Sequence, residues 1–174
     1  MTHLKVWDPF VRFFHWSVVA LFTANSLFVD DDGALHQWFG YAIGALVLVR
    51  ILWGIVGPHY ARFRSFPPSP AGIRGQLTDI ATGRPRIHAG HTPLGALMIY
   101  NLLLTLLVIV ISGYLMTTDA FWGTEWTEGL HEAAVTWAEI SVLAHVAAVL
   151  FESVRIRVNL PRAMVTGYKK LPER

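Results

Sequence analysis

The chain has no cysteine and few charged residues. Without a single cysteine in 174 residues, it cannot form disulfide bonds, thiolate-held iron–sulfur clusters or a covalent C-x-x-C-H haem attachment. Only 15% of the residues are charged, whereas an ordinary soluble domain has about 25%. Together with a mean hydropathy of +0.43, this scarcity of charge indicates a membrane protein.

Four long apolar stretches carry most of the hydrophobic residues. Residues 93–116 contain no charged side chain and exceed the ~20 residues needed to cross a bilayer. The other three stretches are nearly as apolar, but His, Arg or Glu interrupts each of them. We predict an all-α fold, an integral membrane four-helix bundle that forms a single transmembrane domain over residues 1–174. The predicted helices span about 9–29, 35–57, 93–117 and 128–155.

The basic residues are concentrated in two regions, the connection 58–92 and the C-terminal tail. The two remaining connections carry Asp and Glu but no Lys or Arg. By the positive-inside rule, both termini and the long connection are cytoplasmic, and the acidic loops face outward. We therefore expect a multi-pass protein of the bacterial inner membrane. The pI near 9.2 reflects this polarity and attraction to lipid headgroups, so no nucleic-acid partner is expected.

Four histidines lie inside the apolar stretches: His15, His36, His131 and His145. Ionisable side chains are costly in hydrocarbon and persist there mainly for function. Imidazole also ligates haem iron from helix bundles. Because a helix rises 1.5 Å per residue, His131 and His145 are about 21 Å apart along one helix. In a bundle with ~3.5 residues per turn they also share a face.

The depths of the histidines suggest how they pair. His15 lies in the first turns of a helix that enters from the cytoplasm, so it can meet His145. His36 opens a helix that starts outside, so it can meet His131. We predict two non-covalent b haems, one near each membrane surface, with these four histidines as the iron ligands. Removal of the first 29 residues as a signal peptide would discard His15, so we expect that segment to remain.

Three further residues are candidates for cofactor binding. Arg12 precedes His15 by three residues and Arg50 follows His36 by fourteen, which brings both to the level of the inner site. Arginine pairs with carboxylates, so both are candidate partners of haem propionates; the alternative is a charge that snorkels to the interface. His91, at the start of the third helix, is a candidate contact for a propionate or a quinone headgroup. It is also the main rival to His15 as an axial ligand.

Several other residues carry weaker expectations. Glu152 is expected to pair with Arg12 or Arg50, or to take up protons when a quinone is reduced. Gly113 is expected to allow close approach of helices or of the flat porphyrin. His3 is interpreted as part of a frayed terminus, and residues 70–82 as a candidate short surface helix.

Short motifs in a fixed order resemble those of a known family. They are Lys5–Pro9, Arg12–Trp16, His36–Tyr41, Arg50–Gly54, Ala61–Phe63, Gly90–Gly95, His131–Glu132 and Ala163–Lys169. Across nearly the whole chain, this order resembles the bacterial cytochrome b561 and nickel-hydrogenase cytochrome b family. The resemblance implies a four-helix membrane bundle with two bis-histidine b haems, in which His15, His36, His131 and His145 match the ligand positions. It also implies electron transfer between a periplasmic partner and the quinone pool.

The predicted function is transmembrane electron transfer through two b haems. The expected partners are membrane lipid, quinone, and a periplasmic c-type cytochrome or other redox protein. Iron held by two histidines has no open position, so no catalytic residue and no oxygen chemistry are expected. One alternative is an electron-transfer subunit of a hydrogenase, which the single histidine of the second helix disfavours. The others are a metal or proton transporter using intramembrane His and Glu, and a cofactor-free anchor.

Overall fold

A computed structural model describes residues 2–31 and 33–171. The chain is 74% helical, with six helices and one two-stranded ribbon in the described part. The helices are α1 (Pro9–Phe28), α2 (Ala34–Val56), α3 (Pro70–Ala81), α4 (Pro93–Met116), α5 (Glu125–Ile156) and α6 (Leu160–Thr166). The strands are β1 (Thr2–Lys5) and β2 (Tyr168–Leu171). Two single 3₁₀ turns follow α2.

Four helices start on a similar local signal, a polar cap with proline at the first helical position, or at the second in α6. At α1, Asp8 Oδ1 accepts two backbone N–H groups of the first turn at 2.9 and 3.1 Å. Ser69 caps α3, Thr92 caps α4 and Asn159 caps α6 in the same way. Proline fits at these starts because its missing N–H would have no partner within the helix. These helix starts are therefore determined by a few neighbouring residues.

Three of the helices, α2, α4 and α5, are long and apolar enough to cross a membrane. The 20-residue α1 is long enough but not apolar enough, because it carries Arg12, His15 and Asn25. Three of the four predicted spans are thus found by length and composition. The crossing by α1, the bundle arrangement and the cytoplasmic termini stay predictions.

The long helices expose large apolar side chains along their length. Leu104 is 64% exposed, Leu143 is 72% exposed and Val154 is 79% exposed. The fully buried side chains include the small residues Ser112 and Thr127. Soluble monomers rarely expose contiguous apolar surface of this kind, whereas lipid tails cover it without cost. Small residues between helices let membrane helices approach closely.

The described chain divides into two compact units. The first contains the residues up to Arg12, Leu52–Tyr100 and the residues from Leu143 onward. The second contains Phe13–Ile51 and Asn101–Val142. Each of α1, α2, α4 and α5 therefore contributes residues to both units.

In the first unit, the two ends of the chain pair with each other. Strands β1 and β2 are antiparallel, with His3 opposite Lys170. The expectation that His3 belongs to a frayed terminus was therefore wrong, because backbone pairing with a distant segment holds it. Next to the ribbon, Val6, Trp7 and Ala163 form a small buried core.

Lys169 fastens this ribbon to the segment that precedes α4. Its Nζ donates to the carbonyls of His88 at 3.2 Å and Gly90 at 2.7 Å. It also lies 5.5 Å from the centre of the Trp7 ring, a cation–π distance. Only 5% of the residue is exposed, and burial lowers the pKa of Lys169 from 10.5 to about 8.

The lowered pKa of Lys169 predicts a pH-dependent stability. Between about pH 8 and 10.5, the unfolded chain holds this proton while the folded chain has released it, so the free energy of unfolding rises with pH. We expect the apparent unfolding temperature of the wild-type protein to rise relative to that of Lys169→Met across this window. Thermal scans of both proteins in one detergent measure the difference. A difference that is constant or falls with pH would contradict the assignment.

Candidate functional site

His36 and His131 come together in the second unit. His36 lies in the first turn of α2 and His131 in the second turn of α5, and their ring centres are 6.2 Å apart with an interplanar angle of 60°. Bonds between a metal and imidazole nitrogen are about 2 Å long, so two imidazoles on one metal have centres roughly 6 Å apart. The separation is therefore compatible with two axial ligands on one metal.

The polar groups around His131 determine which of its ring nitrogens keeps a lone pair. Its Nδ1 lies 3.0 Å from the Ile109 carbonyl oxygen and 3.1 Å from Ser112 Oγ. A carbonyl can only accept, so Nδ1 carries the hydrogen and Nε2 keeps its lone pair. The Ser112 hydroxyl donates to the Val108 carbonyl at 2.7 Å, which leaves an oxygen lone pair for His131. A hydrogen bond from the outer ring nitrogen to a carbonyl orients metal-binding histidines.

Gly113 provides the space in which the His131 ring lies. A Cβ at this position would come within 3.1 Å of His131 Cε1 and 3.4 Å of its Nδ1. Any larger residue at position 113 would push against the imidazole. Sequence reasoning expected Gly113 to allow close helix or porphyrin approach, and in the structure it borders this ring. Sequence reasoning missed Ser112, whose only signal was its position next to Gly113 in a helix with few polar residues.

His36 has an acidic neighbour on the loop between α1 and α2. Its Nδ1 lies 3.8 Å from Asp31 Oδ1, and its backbone carbonyl accepts from Asn25 Nδ2 at 3.4 Å. At this distance the contact is electrostatic and not a hydrogen bond, so Asp31 places a negative charge beside His36 without fixing the orientation of its ring. The sequence identified this acidic loop only as a topology signal.

Comparison with known families identifies the family of the chain. The family model described as prokaryotic cytochrome b561 matches residues 6–167, which is most of the chain. The chain belongs to the prokaryotic cytochrome b561 family. Searches of curated proteins and of solved structures gave no match. Membership in this family implies a membrane protein that carries electrons across the membrane with haem b.

The His36–His131 pair has the features that a haem b of this cytochrome would need. The two side chains provide imidazole nitrogens at the right separation, and the outer nitrogen of His131 is hydrogen-bonded. Non-covalent binding needs no cysteine, and the chain has none. Within the described residues, no cluster of three or more His, Cys, Asp or Glu forms a metal site. A bis-histidine haem requires only two such side chains.

The second predicted pair of the cytochrome is divided between the units. His15 lies in α1 in the second unit, where its ring stands edge-on to Trp16 with centres 5.0 Å apart. His145 is half-buried in the part of α5 that belongs to the first unit. The helix α5 runs unbroken from Glu125 to Ile156, so His131 and His145 lie on one continuous helix. The pairing of His15 with His145 stays a prediction.

The two candidate arginines differ in their surroundings. Arg12 donates from Nη2 to the Val165 carbonyl at 2.5 Å, within the first unit. Arg50 is 4% exposed on α2 in the second unit. A buried guanidinium next to apolar helices needs anionic or carbonyl partners. Their roles toward haem propionates stay predictions.

Glu152 has a different partner from the one expected. Arg155 donates to both of its carboxylate oxygens at 2.8 Å, so the expected pairing with Arg12 or Arg50 is replaced by an (i, i+3) bond within α5. The same arginine also donates to the Arg84 carbonyl at 3.0 Å. This network ties the end of α5 to the segment after α3.

His91 lies between two aromatic rings in the first unit. Its ring centre is 4.6 Å from that of Trp7 and 4.2 Å from that of Phe66. These contacts hold the imidazole beside the cap of α4. The suggested roles of His91 toward a propionate, a quinone or the iron stay predictions.

The contact between Gly113 and His131 predicts a selective effect on haem. In Gly113→Ala the added methyl displaces the His131 ring, so we expect a loss of up to one b haem per chain. Gly129→Ala is the matched control, because a Cβ at position 129 of α5 would meet no atom within 4 Å. Pyridine haemochrome absorbance per mass of purified protein measures the content. Equal haem content in both variants would contradict the role of Gly113.

Proposed function

We propose that this cytochrome carries electrons across the bacterial inner membrane through two b haems. His36 and His131 hold the outer haem, and His15 and His145 hold the inner one. The observation that supports this best is the outer pair, with ring centres 6.2 Å apart and the outer nitrogen of one ligand bonded to a backbone carbonyl. The partners are the quinone pool and a periplasmic redox protein.

Haem b supplies one-electron chemistry at its iron when bound. The chain's own residues supply the ligands and control their orientation. The Ile109 carbonyl holds the hydrogen of His131 on Nδ1 and so leaves the Nε2 lone pair available to a metal. Asp31 lies 3.8 Å from His36 Nδ1, which is beyond hydrogen-bond distance, so it contributes a nearby negative charge and not an orienting bond. Two histidine ligands leave no coordination position for substrate, so the site transfers electrons without binding oxygen.

The helix α5 sets the distance between the two haems. His131 and His145 are separated by fourteen residues of unbroken helix, about 21 Å along its axis. This covers most of the ~30 Å hydrocarbon thickness of a bilayer, so one haem would lie toward each surface. The basic connection and tail face the cytoplasm. The acidic outer loops then meet the periplasmic partner, where negative charge favours a basic surface.

On the cytoplasmic side, three residues complete the inner site. Arg12 and Arg50 neutralise the haem propionates, which are anions that guanidinium groups bind well. His91, next to Trp7, contacts the quinone headgroup near the start of α4. A quinone bound there would exchange electrons at the edge of the inner haem, because two histidine ligands would leave no open position at its iron.

Single histidine substitutions test the pairing. We expect His36→Ala and His131→Ala each to lose the outer haem, and His15→Ala and His145→Ala each to lose the inner one. Each variant then carries one haem, with a matching loss of about half the reduced-minus-oxidised absorbance. His59→Ala is the control, because this histidine is exposed in the connection after α2. Free imidazole added to His131→Ala should restore the lost signal, which separates ligand loss from misfolding.

The haem contents of these variants also show which results would contradict the ligand assignment and the pairing. If His131→Ala and His145→Ala each keep two haems, the assigned ligands are wrong. If the double variant His36→Ala/His131→Ala loses more haem than either single variant, the two residues do not hold one iron.

A further inference from the structure

A cavity of about 920 Å³ lies in the first unit, where the end of α5 meets α6 and the terminal ribbon. Four cationic side chains line it, those of Arg155, Arg157, Arg162 and Lys170. No carboxylate is among the described residues that line it. Apolar groups such as Ile156 form other parts of its wall. The cavity is therefore concave, cationic and partly apolar.

Most of this positive charge has no partner within the described chain. Arg155 is neutralised by its bidentate bond to Glu152. The side chains of Arg157, Arg162 and Lys170 make no hydrogen bond or ion pair with any residue that the structure describes. Three unpaired cations around one cavity repel each other. An anion bound between them would relieve that repulsion.

The backbone at Arg157 is also unusual. Among the described residues, Arg157 is the only one other than glycine that has a positive φ, 56°. It terminates α5 in a Schellman arrangement, with Arg157 N–H bonded to the Val154 carbonyl and Val158 N–H to the Ser153 carbonyl. Glycine is the usual residue here, because the left-handed conformation is strained for side chains. Arginine thus occupies a position where glycine would make the folded protein more stable.

A second, apolar cavity of about 270 Å³ adjoins the first. The two share the residues Arg157, Val158 and Asn159. The second is also lined by Leu150 and Val154 on α5. Because α5 is one of the candidate membrane spans, this apolar cavity begins where a lipid tail would start. A molecule with an anionic head and apolar tails matches both cavities.

We propose that these cavities bind an anionic phospholipid, with its phosphate between Arg157, Arg162 and Lys170. An acyl chain lies against Leu150 and Val154 on α5. Guanidinium groups bind phosphate oxygens bidentately, and basic pockets at helix ends on the cytoplasmic side bind anionic headgroups. A free phosphate ion would use the same cations but would leave the apolar cavity without an occupant.

Lipid titration of the haem-loaded full-length protein in non-ionic detergent tests this proposal. The probes are short-chain phosphatidylglycerol, phosphatidylcholine with the same chains, and inorganic phosphate, with binding followed by thermophoresis. We expect phosphatidylglycerol to bind at least about tenfold more tightly than either other probe. Arg157→Gln and Arg162→Gln should each weaken it about fivefold, the usual contribution of one cation near an anionic surface. Arg74→Gln, an exposed arginine of α3 outside both cavities, should leave it unchanged.

Arg157→Gly separates binding from folding. Glycine adopts the left-handed conformation without strain, so this variant should unfold a few degrees higher than wild type while losing the same fivefold in affinity. Wild-type affinity for phosphatidylglycerol in Arg157→Gly and Arg162→Gln would overturn the site. Equal binding of phosphatidylcholine would show that charge does not select the lipid and would also overturn it. Equally tight binding of inorganic phosphate would overturn the lipid assignment in favour of a phosphate site.

Discussion

The hydrogen bond from His131 Nδ1 to the Ile109 carbonyl is the interaction on which the outer site depends. An imidazole among apolar helices has no water to satisfy its two nitrogens, and each unsatisfied polar group in lipid costs several kcal/mol. The carbonyl satisfies one nitrogen at 3.0 Å. The other nitrogen keeps its lone pair, which in the proposed site would bind haem iron. The bond thus decides the tautomer of His131.

Two neighbouring residues on α4 accommodate the imidazole ring of His131. Ser112 is fully buried, and its hydroxyl donates to a backbone carbonyl of its own helix. Only an oxygen lone pair of Ser112 is therefore available to His131. Gly113 removes the side chain that would otherwise occupy the space of the ring. Elsewhere on the same pair of helices, Asn101 accepts from the Trp137 indole and donates to Ser141 Oγ. Such satisfied polar groups hold α4 against α5 where apolar packing alone is weak.

Local signals in the sequence predicted the fold better than they predicted contacts between distant residues. The starts of α1 and α4 follow from Asp8-Pro9 and Thr92-Pro93, because caps involve only neighbouring residues. The ribbon and the burial of Lys169 depend on pairing between the two ends of the chain, which no local pattern encodes. The histidines of the outer pair were identified from their depth, but Ser112 and Asp31 were not. The partner of Glu152 is Arg155, three residues further along the helix. Its spacing was visible in the sequence, but the prediction named the more distant Arg12 and Arg50.

The haem content of the wild-type protein tests the central claim most directly. The two imidazole pairs proposed above would require two b haems per 19.5 kDa chain. Purification from haem-replete cells, followed by pyridine haemochrome absorbance and amino-acid analysis, gives that ratio without any substitution. The account predicts two b haems per chain, both low-spin in the oxidised state. A correctly inserted protein with one haem would contradict the second pair, and one with no haem would contradict the whole assignment.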